Sequence, residues 1–460
     1  MTADVTEKQV IVIGAGISGL CCTHRLIDSL GAEHVLCLEA GSRAGGHIQS
    51  ETTDGFICDE GPNGFLDKEP ATLAWIESLG ISDELIQANE SAAKRFLMLR
   101  DQLVEIKPPP GFLLSPALSI RGRLRLLREP FIPRRYGDTP ESVWDFAARR
   151  IGAEAADNLV SAMVLGVYGG DAKKLSLAHC FPRMAEMERE HGSLIKAMRA
   201  SRRSNSSGSS QGGPAGPGGT LTTFRSGIGR LTDRAAEVVG DSLRLNVPVT
   251  AISKSDDGRF NVVTNDGASY VSDRLICAVP AHVAVGLFAV FAPALSVSLS
   301  RVQTEPIAVV CTGHDRETVP HSMDGFGFLV PPNQGKDVLG CIWTSSVFDD
   351  FAPDDRVYLR TMIGGAIHPE YVEQSDEALL EYVRNDVFPQ MGIETDPEFV
   401  KIYRHARGIP QYGLDHGEVL EAVSKAEAAH PGLHFTGNSF YGISMNDCVK
   451  HAFEVTERIS

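Results

Sequence analysis

The chain has 460 residues, 43% hydrophobic and 22% charged, the composition of a folded globular protein and not of a disordered or collagen-like one. That length exceeds what one apolar core serves, so two or three domains are expected. The formal charge of -16, from 59 acidic and 43 basic residues, argues against a dedicated nucleic-acid binder, whose affinity would rest on neutralising phosphates.

The opening MTADVTEKQV lacks the basic region and apolar stretch of a secretory or transit peptide, so a cytoplasmic chain is expected. Next comes QVIVIGAGISGLCCTHRL, read as an apolar strand, a turn with Gly14, Gly16 and Gly19 in GxGxxG register, and a helix turning Leu20 and Leu26 inward. The glycines permit the tight turn, close approach to a pyrophosphate and close helix packing; the helix N-terminus adds N–H donors and a positive dipole end. A second strand, HVLCLEA, ends in Glu39, 20 residues after Gly19, where a carboxylate accepts ribose hydroxyls. Together these predict a dinucleotide-binding unit. Arg43, Gly45 and Gly46 then form an RxGG step suited to the phosphates.

Between Lys94 and Arg135 lie ten basic and three acidic side chains, a local +7 that leaves -23 on the rest of the chain. Basic and apolar residues interleave there, as in SIRGRLRLLREPFIPRR, which suits anionic lipid or an anionic ligand, and equally a solvated charged face. Helical periodicity runs through ESVWDFAARRIGAEAADNLVSAMVLGVY. Residues 201–219, dominated by Ser, Gly and Pro, are expected to be a flexible loop. NVPVTAISKSDDGRFNVVTNDGASYVSDRLICAVP reads as short strands with DDG and NDG turns. The uncharged stretch from Val279 to Ser300 is cut by Pro280 and Pro293 into pieces too short to span a bilayer, and a buried helix is expected instead. Near the end, HFTGNSFYGISMNDCVKHAFEVTERI predicts a strand, a Gly-rich turn and a helix opening around Asn446 and Asp447, whose N-terminus suits the electron-rich end of a flavin ring. A body large enough to need both ends of the chain favours FAD over NAD. Nine scattered cysteines read as reduced thiols, and Pro431 and Gly432 keep His430 and His434 off one helical face, so no metal is expected. No GxSxG nucleophile elbow is found, the one such string, GSSQG, falling inside the Ser/Gly/Pro stretch, and GxxxxGK[ST] and HExxH are absent from the sequence.

The N-terminal unit, the RxGG step and the C-terminal segment resemble the flavoprotein superfamily of amine oxidases, carotenoid desaturases and porphyrinogen oxidases. DEGPNGFLDKEPATLAWIESLG, VLGVYGGDAKKLSLAHCFPRM, RGIPQYGLDHGEVLEA and GNSFYGISMNDCV are most similar to the protoporphyrinogen/coproporphyrinogen oxidase family. The resemblance implies an α/β fold (α+β overall): a Rossmann-like FAD domain from 1–85, 222–282 and 402–460, a mixed-sheet substrate domain from 86–92 and 283–401, and a helical domain over 93–205 that the family uses at membranes. It implies FAD contacts at Gly14, Ala15, Gly16, Ile17, Ser18, Gly19, Glu39, Arg43, Gly45, Gly46, Gly61, Pro62, Asn63, Gly64, Val249, Asn438, Ile443, Ser444 and Met445. It places Arg95 where an arginine pairs with a substrate propionate, and Gly166, Phe326, Leu329 and Met362 on the macrocycle pocket. Leu165 stands where many members have a small residue.

The implied activity is FAD-dependent oxidation of protoporphyrinogen IX to protoporphyrin IX in haem biosynthesis, with molecular oxygen giving hydrogen peroxide and no residue required as acid or base. Coproporphyrinogen III, with four propionates instead of two, is the nearest rival substrate. More distant rivals are an amine oxidase and a non-catalytic binding protein of the Rab-escort and GDP-dissociation-inhibitor kind. Peripheral contact with the inner face of the cell membrane and a homodimer are further implications of the resemblance.

Overall fold

The computed structural model describes residues 5–107, 111, 115–137, 139–204 and 218–459. The apolar run near the N-terminus forms the strand Val5–Ile13, flanked by the parallel strands Val35–Leu38 and Ser269–Cys277. Successive strand residues point to opposite faces, and here both faces are covered. Val10 and Val12 enter a core with Leu20 and Leu26 of the helix Ile17–Leu30 and with Val449 and Val455 of the last helix, Met445–Glu457. Ile11 and Ile13 enter a second core with Phe288, Leu295 and Leu299. A parallel strand buried on both sides reads as an unbroken apolar run, which is why QVIVI shows no alternation.

Leu243–Arg244 and Leu433–Phe435 extend this sheet in parallel, while Phe260–Thr264 and Val249–Lys254 add an antiparallel meander. The uncharged stretch 279–300 supplies two short helices, Ala281–Phe288 and Pro293–Leu299, parted at the second proline. Among the described residues no helix is long and apolar enough to cross a membrane.

The second sheet is ordered Phe399–Gln411, Gln303–Asp315, Arg356–Gly364, Val338–Trp343, Gly327–Leu329, Phe96–Leu99, Gln102–Glu105. Its pairings are antiparallel except for Phe328↔Phe96 and Leu329↔Leu97, which are parallel. The hairpin over 96–105 and the strand over 399–411, which sequence boundaries put in the helical and cofactor parts, therefore lend strands to this sheet. Their partners lie far away in the chain, and only the tertiary pairing reveals them.

The remaining residues form short helices, including Ile120–Leu127, Val143–Ile151, Ser161–Tyr168, Pro182–His191 and Leu194–Ser204. The helical run expected over 141–168 is interrupted: Gly152, at φ 101°, ends one helix, and Ala156–Val160 is a π-helical turn before the next. A buried ionic cluster binds this layer. Glu129 and Arg150, both 0% exposed, pair through Arg150 Nε at 2.9 Å; Ser193 Oγ and the Leu194 N–H donate to the same carboxylate, and Arg150 also reaches Glu188 at 3.2 Å. The helix Leu194–Ser204 runs four residues into the expected loop, whose residues 205–217 lie outside the described residues.

Candidate active site

The expected cofactor residues converge at the C-terminal ends of the first sheet. The Gly14 N–H donates to Leu38 O at 2.8 Å, closing the turn at φ 98°. A Cβ on Gly19 would fall within the Gly14 carbonyl group, so Gly19 is required for helix and strand to meet. Gly16 differs: a Cβ there would meet nothing within 4 Å. Opposite it runs the RxGG loop, with a Gly16↔Gly45 bridge, the Gly45 N–H on Ala15 O at 2.8 Å, and Gly46 against Gly16 Cα. Gly16 caps the helix Ile17–Leu30 without a side-chain bond, leaving first-turn N–H groups open. A backbone cradle with open space over Gly16, beside a helix N-terminus, fits a diphosphate.

Glu39 Oε2 accepts from the Ala15 N–H at 2.7 Å and Oε1 from the Gly41 N–H at 2.8 Å. The carboxylate thus braces the turn and keeps lone pairs for hydroxyl donors. The Val247 N–H binds Glu39 O at 2.8 Å, bringing the strand that starts at Val249 to this nucleotide end. Arg43 faces Glu60, with Nη2 at 3.5 Å from Oε1.

At the other end, Gly61, Pro62, Asn63 and Gly64 follow the strand Phe56–Asp59. Gly61 packs so tightly on the His47 carbonyl that a Cβ would collide with it, and Asn63 Nδ2 is buried without a partner. The buried Arg360 donates from Nη2 to Gly61 O, and its Nε has no partner. Burial pushes the Asp59 carboxyl up to about 6, against the opposing pull of its hydrogen bond from Ser50 and of Arg360. Asn438 O accepts from Tyr412 OH at 2.6 Å, and that hydroxyl accepts from the Gly442 N–H at 2.9 Å, fixing the turn that carries Ile443. Ser444 and Asp447 form a capping box on the last helix, which opens at Met445. Asn446 ties that helix back to Thr72 Oγ1 and Leu66 O, both at 2.8 Å.

The expected substrate residues gather between the second sheet and the helix Ser161–Tyr168. Arg95 keeps accessible surface, while its partial desolvation lowers its pKa with no carboxylate to oppose the shift. Its guanidinium stands 5.3 Å from the Phe326 ring centroid. Beside it Lys94 is paired with Asp324. Phe326 and Met362 pack in one apolar cluster with Leu165, Ile307 and Leu339. Leu329 packs with Leu97, Leu99 and Ala162, and its Cδ2 would lie 2.5 Å from a Cβ on Gly166.

Three residues near the cofactor cradle were invisible as a site in sequence: His47, His405 and Arg360. His47 directly follows Gly46, the one local signal available. The other two reach this region only through the second sheet.

The local basic segment also divides. Arg123 donates to Leu118 O and Ser115 O, and Arg125 to Arg149 O and Arg150 O, so these two hold carbonyl groups inside the helical layer. Arg121 and Arg128 are exposed, next to Ile120 (74% exposed), Leu124 (59%) and Phe131 (83%).

The model of the family described as flavin containing amine oxidoreductase matches residues 17–460. The chain is 31% identical to a chloroplastic protoporphyrinogen oxidase of Nicotiana tabacum, over 99% of this chain and 86% of that one. It is 27% identical to a coproporphyrinogen III oxidase of Bacillus subtilis over 96% of each chain. A crystal structure of a provisionally named protoporphyrinogen oxidase from Exiguobacterium sp. 255-15 superposes with a TM-score of 0.83 at 24% identity, covering 99% of both chains, which shows the same fold.

Proposed function

Because the chain belongs to the flavin containing amine oxidoreductase family, and within it to the protoporphyrinogen/coproporphyrinogen oxidases, we propose that it oxidises protoporphyrinogen IX to protoporphyrin IX in haem biosynthesis, with FAD as cofactor and molecular oxygen as acceptor. Each of the three two-electron steps takes a hydride from a ring carbon and a proton from the macrocycle. FAD, when bound, supplies the hydride acceptor and passes the electrons to oxygen, which leaves as hydrogen peroxide.

The protein's own part is placement. Arg95 pairs with a propionate and sets the edge of the macrocycle. Phe326, Leu329 and Met362 form the apolar wall, and Gly166 lets its helix pack directly on Leu329 of that wall. These groups hold the substrate in one orientation and keep water from the reacting carbon. Gly14 to Gly19, Gly45 and Gly46 hold the diphosphate, Glu39 and Val249 the nucleoside, Gly61 to Gly64, Asn438 and Ile443 to Met445 the ring. No acid or base is assigned, because aromatisation of the product drives loss of the proton to solvent.

The observation that carries the choice of substrate is the isolation of Arg95: its guanidinium stands over the Phe326 ring, and the neighbouring Lys94 is engaged by Asp324. One free cation at an aromatic wall suits the single carboxylate edge of protoporphyrinogen better than four propionates. Coproporphyrinogen III is the second reading, favoured by the end-to-end match with the B. subtilis enzyme. Aerobic incubation of the purified protein with each porphyrinogen, followed by porphyrin fluorescence, tests both. Protoporphyrin forming faster than its autoxidation blank supports the first reading, a higher kcat/KM for coproporphyrinogen replaces it with the second, and neither product forming refutes both.

We further propose that the exposed apolar residues Ile120, Leu124 and Phe131, with Arg121 and Arg128, rest on an anionic lipid surface. Cosedimentation with vesicles containing phosphatidylglycerol, lost in Leu124→Glu/Phe131→Glu, is the expected result. Equal binding by wild type and variant would refute it.

A further inference from the structure

Two stacked side chains hold the turn between the last strand of the first sheet and the last helix. That turn, residues 436–444, starts where the Thr436 N–H bonds Cys277 O at 3.0 Å and ends at the cap of the helix Met445–Glu457. It runs beside the glycine cradle. A Cβ on Gly437 would lie 3.9 Å from Ala278 O, and Ala278 also lies against Gly14 and Gly19; Met445 shares a core with Ile17 of the first helix.

Tyr412 and His416, both buried, stack with ring centroids 4.0 Å apart at an angle of 17°. They engage the turn at alternate residues. The Tyr412 hydroxyl donates to Asn438 O at 2.6 Å and accepts from the Gly442 N–H at 2.9 Å. His416 Nε2 bonds Phe440 O at 3.0 Å; a carbonyl only accepts, so this nitrogen donates. No helix or strand runs through residues 436–444, so these two side chains satisfy backbone groups that a ladder would otherwise pair.

The segment that carries them is anchored on its other side to the substrate pocket. It joins the strand Phe399–Gln411 to the helix His416–Ala429. Tyr412 O accepts the Ser176 N–H at 2.8 Å, and Leu175 bridges Gly413. Gln411 Nε2 donates to Tyr168 O at 2.8 Å, and the Tyr168 ring meets that of Tyr412 at 6.4 Å and 65°. Tyr168 ends the helix Ser161–Tyr168, whose Leu165 packs with Phe326 and Met362 and whose Gly166 seats against Leu329. Residues 411–416 thus bond the helix of the macrocycle wall on one side and the turn on the other.

We propose, resting on FAD as the cofactor and on Asn438 and Ile443 to Met445 as a seat of its ring, that Tyr412 and His416 are positioning residues that fix the flavin relative to the macrocycle wall. Neither acts as acid or base, because the hydroxyl and the imidazole N–H are both committed to backbone groups. Without the Tyr412 hydroxyl, Asn438 O and the Gly442 N–H lose their common partner and the turn shifts. Hydride transfer needs reacting atoms about 3–3.5 Å apart, and a misplacement of about 1 Å costs about 100-fold in rate, so the effect falls on kcat and not on substrate affinity.

The test uses the flavin-loaded full chain. Tyr412→Phe keeps the ring and its stacking and removes the hydroxyl alone. It should lower kcat per bound flavin at least about tenfold with KM within about twofold of wild type, and should alter the visible circular dichroism of the bound flavin, which reports the ring's surroundings without turnover. His416→Gln, whose amide can donate to Phe440 O, should stay closer to wild type on both readouts than His416→Ala. Glu129→Gln, destabilised in the helical layer, should keep wild-type kcat per bound flavin. Wild-type dichroism and kcat in Tyr412→Phe would overturn the inference, as would an equal loss of kcat in Glu129→Gln, since lost stability would then account for it. If Tyr412→Phe fails to fold, wild-type values in His416→Ala overturn it instead. Should the wild type oxidise neither porphyrinogen, the proposed reaction falls and the dichroism still decides on the seat; a chain that never carries flavin removes the FAD reading and this proposal with it.

Discussion

Replacing Arg95 by Ala separates binding of the substrate from stability of the protein. The guanidinium keeps accessible surface, has no carboxylate acting on it, and meets Phe326 through a 5.3 Å cation–ring contact. At an exposed site that contact contributes about 0.5–1 kcal/mol, so thermal stability should change little. Toward substrate the balance is one-sided. A hydrogen bond between charged groups contributes about 1.5–3 kcal/mol, which is about 10- to 150-fold in affinity; the crevice admits water, which points to the lower end. Steady-state porphyrin formation should therefore show kcat/KM about tenfold lower, mostly in KM, with the flavin spectrum and melting temperature unchanged. Arg95→Lys should lie between the two, keeping the charge and losing the planar fork. Activity within twofold of wild type, or loss of flavin from the variant, would show that Arg95 has no part in holding the propionate.

Two glycines of one motif should behave oppositely. Gly16→Ala has room in the protein and an ordinary φ of -69°, so it should fold normally and retain FAD at least about tenfold less tightly, whereas Gly19→Ala should fail to fold because its Cβ overlaps the Gly14 carbonyl; circular dichroism and the flavin-to-protein ratio distinguish them. Gly166→Ala should push Leu329 toward the crevice and raise KM several-fold with flavin retained, checked by steady-state kinetics. Glu129→Gln should destabilise the protein by up to about 3–5 kcal/mol in denaturant unfolding, because it removes the closer of the buried Arg150's two carboxylate partners and leaves only Glu188 at 3.2 Å. Burial alone would raise the Glu129 carboxyl, but hydrogen bonds from Ser193, Arg150 and the Leu194 N–H hold it below the usual carboxylate range. Its stabilisation is thus present above the unfolded-state pKa and lost as pH falls through the folded one, so wild type should lose more stability than Glu129→Gln on acidification.

The strand, glycine turn, helix and acid of the N-terminal unit were legible because each is local: the burial of both strand faces and the turn geometry are written within thirty residues. The opening of the last helix was legible for the same reason; it falls at Met445, one residue before the expected Asn446, where Ser444 and Asp447 close a capping box. What was not legible depends on distant pairing. Phe96 belongs beside Phe328, so a hairpin that reads locally as the start of the helical part completes a sheet. His47 and His405 carry no sign of each other in sequence, and Arg360 reads as a polar residue in an apolar strand until its bond to Gly61 O is seen. The basic segment misled differently. Its net charge is real, but Arg123 and Arg125 are consumed by carbonyl groups within the helical layer and leave a smaller exposed patch.

Asn446, bonded to Thr72 and Leu66, and the strand Leu433–Phe435, paired beside Ser269–Cys277, place the last residues of the chain within the unit that the first ones begin. On the ribosome that unit remains open until residues 433–455 have emerged. Roughly 420 residues separate the end of the first strand from Leu433, which at about 5–20 residues per second is a wait on the order of 20–80 s. During that interval Leu20, Leu26 and the inward face of their helix lack the apolar partners Val449 and Val455. Translation therefore leaves that apolar face without its partners until residues 433–455 have emerged.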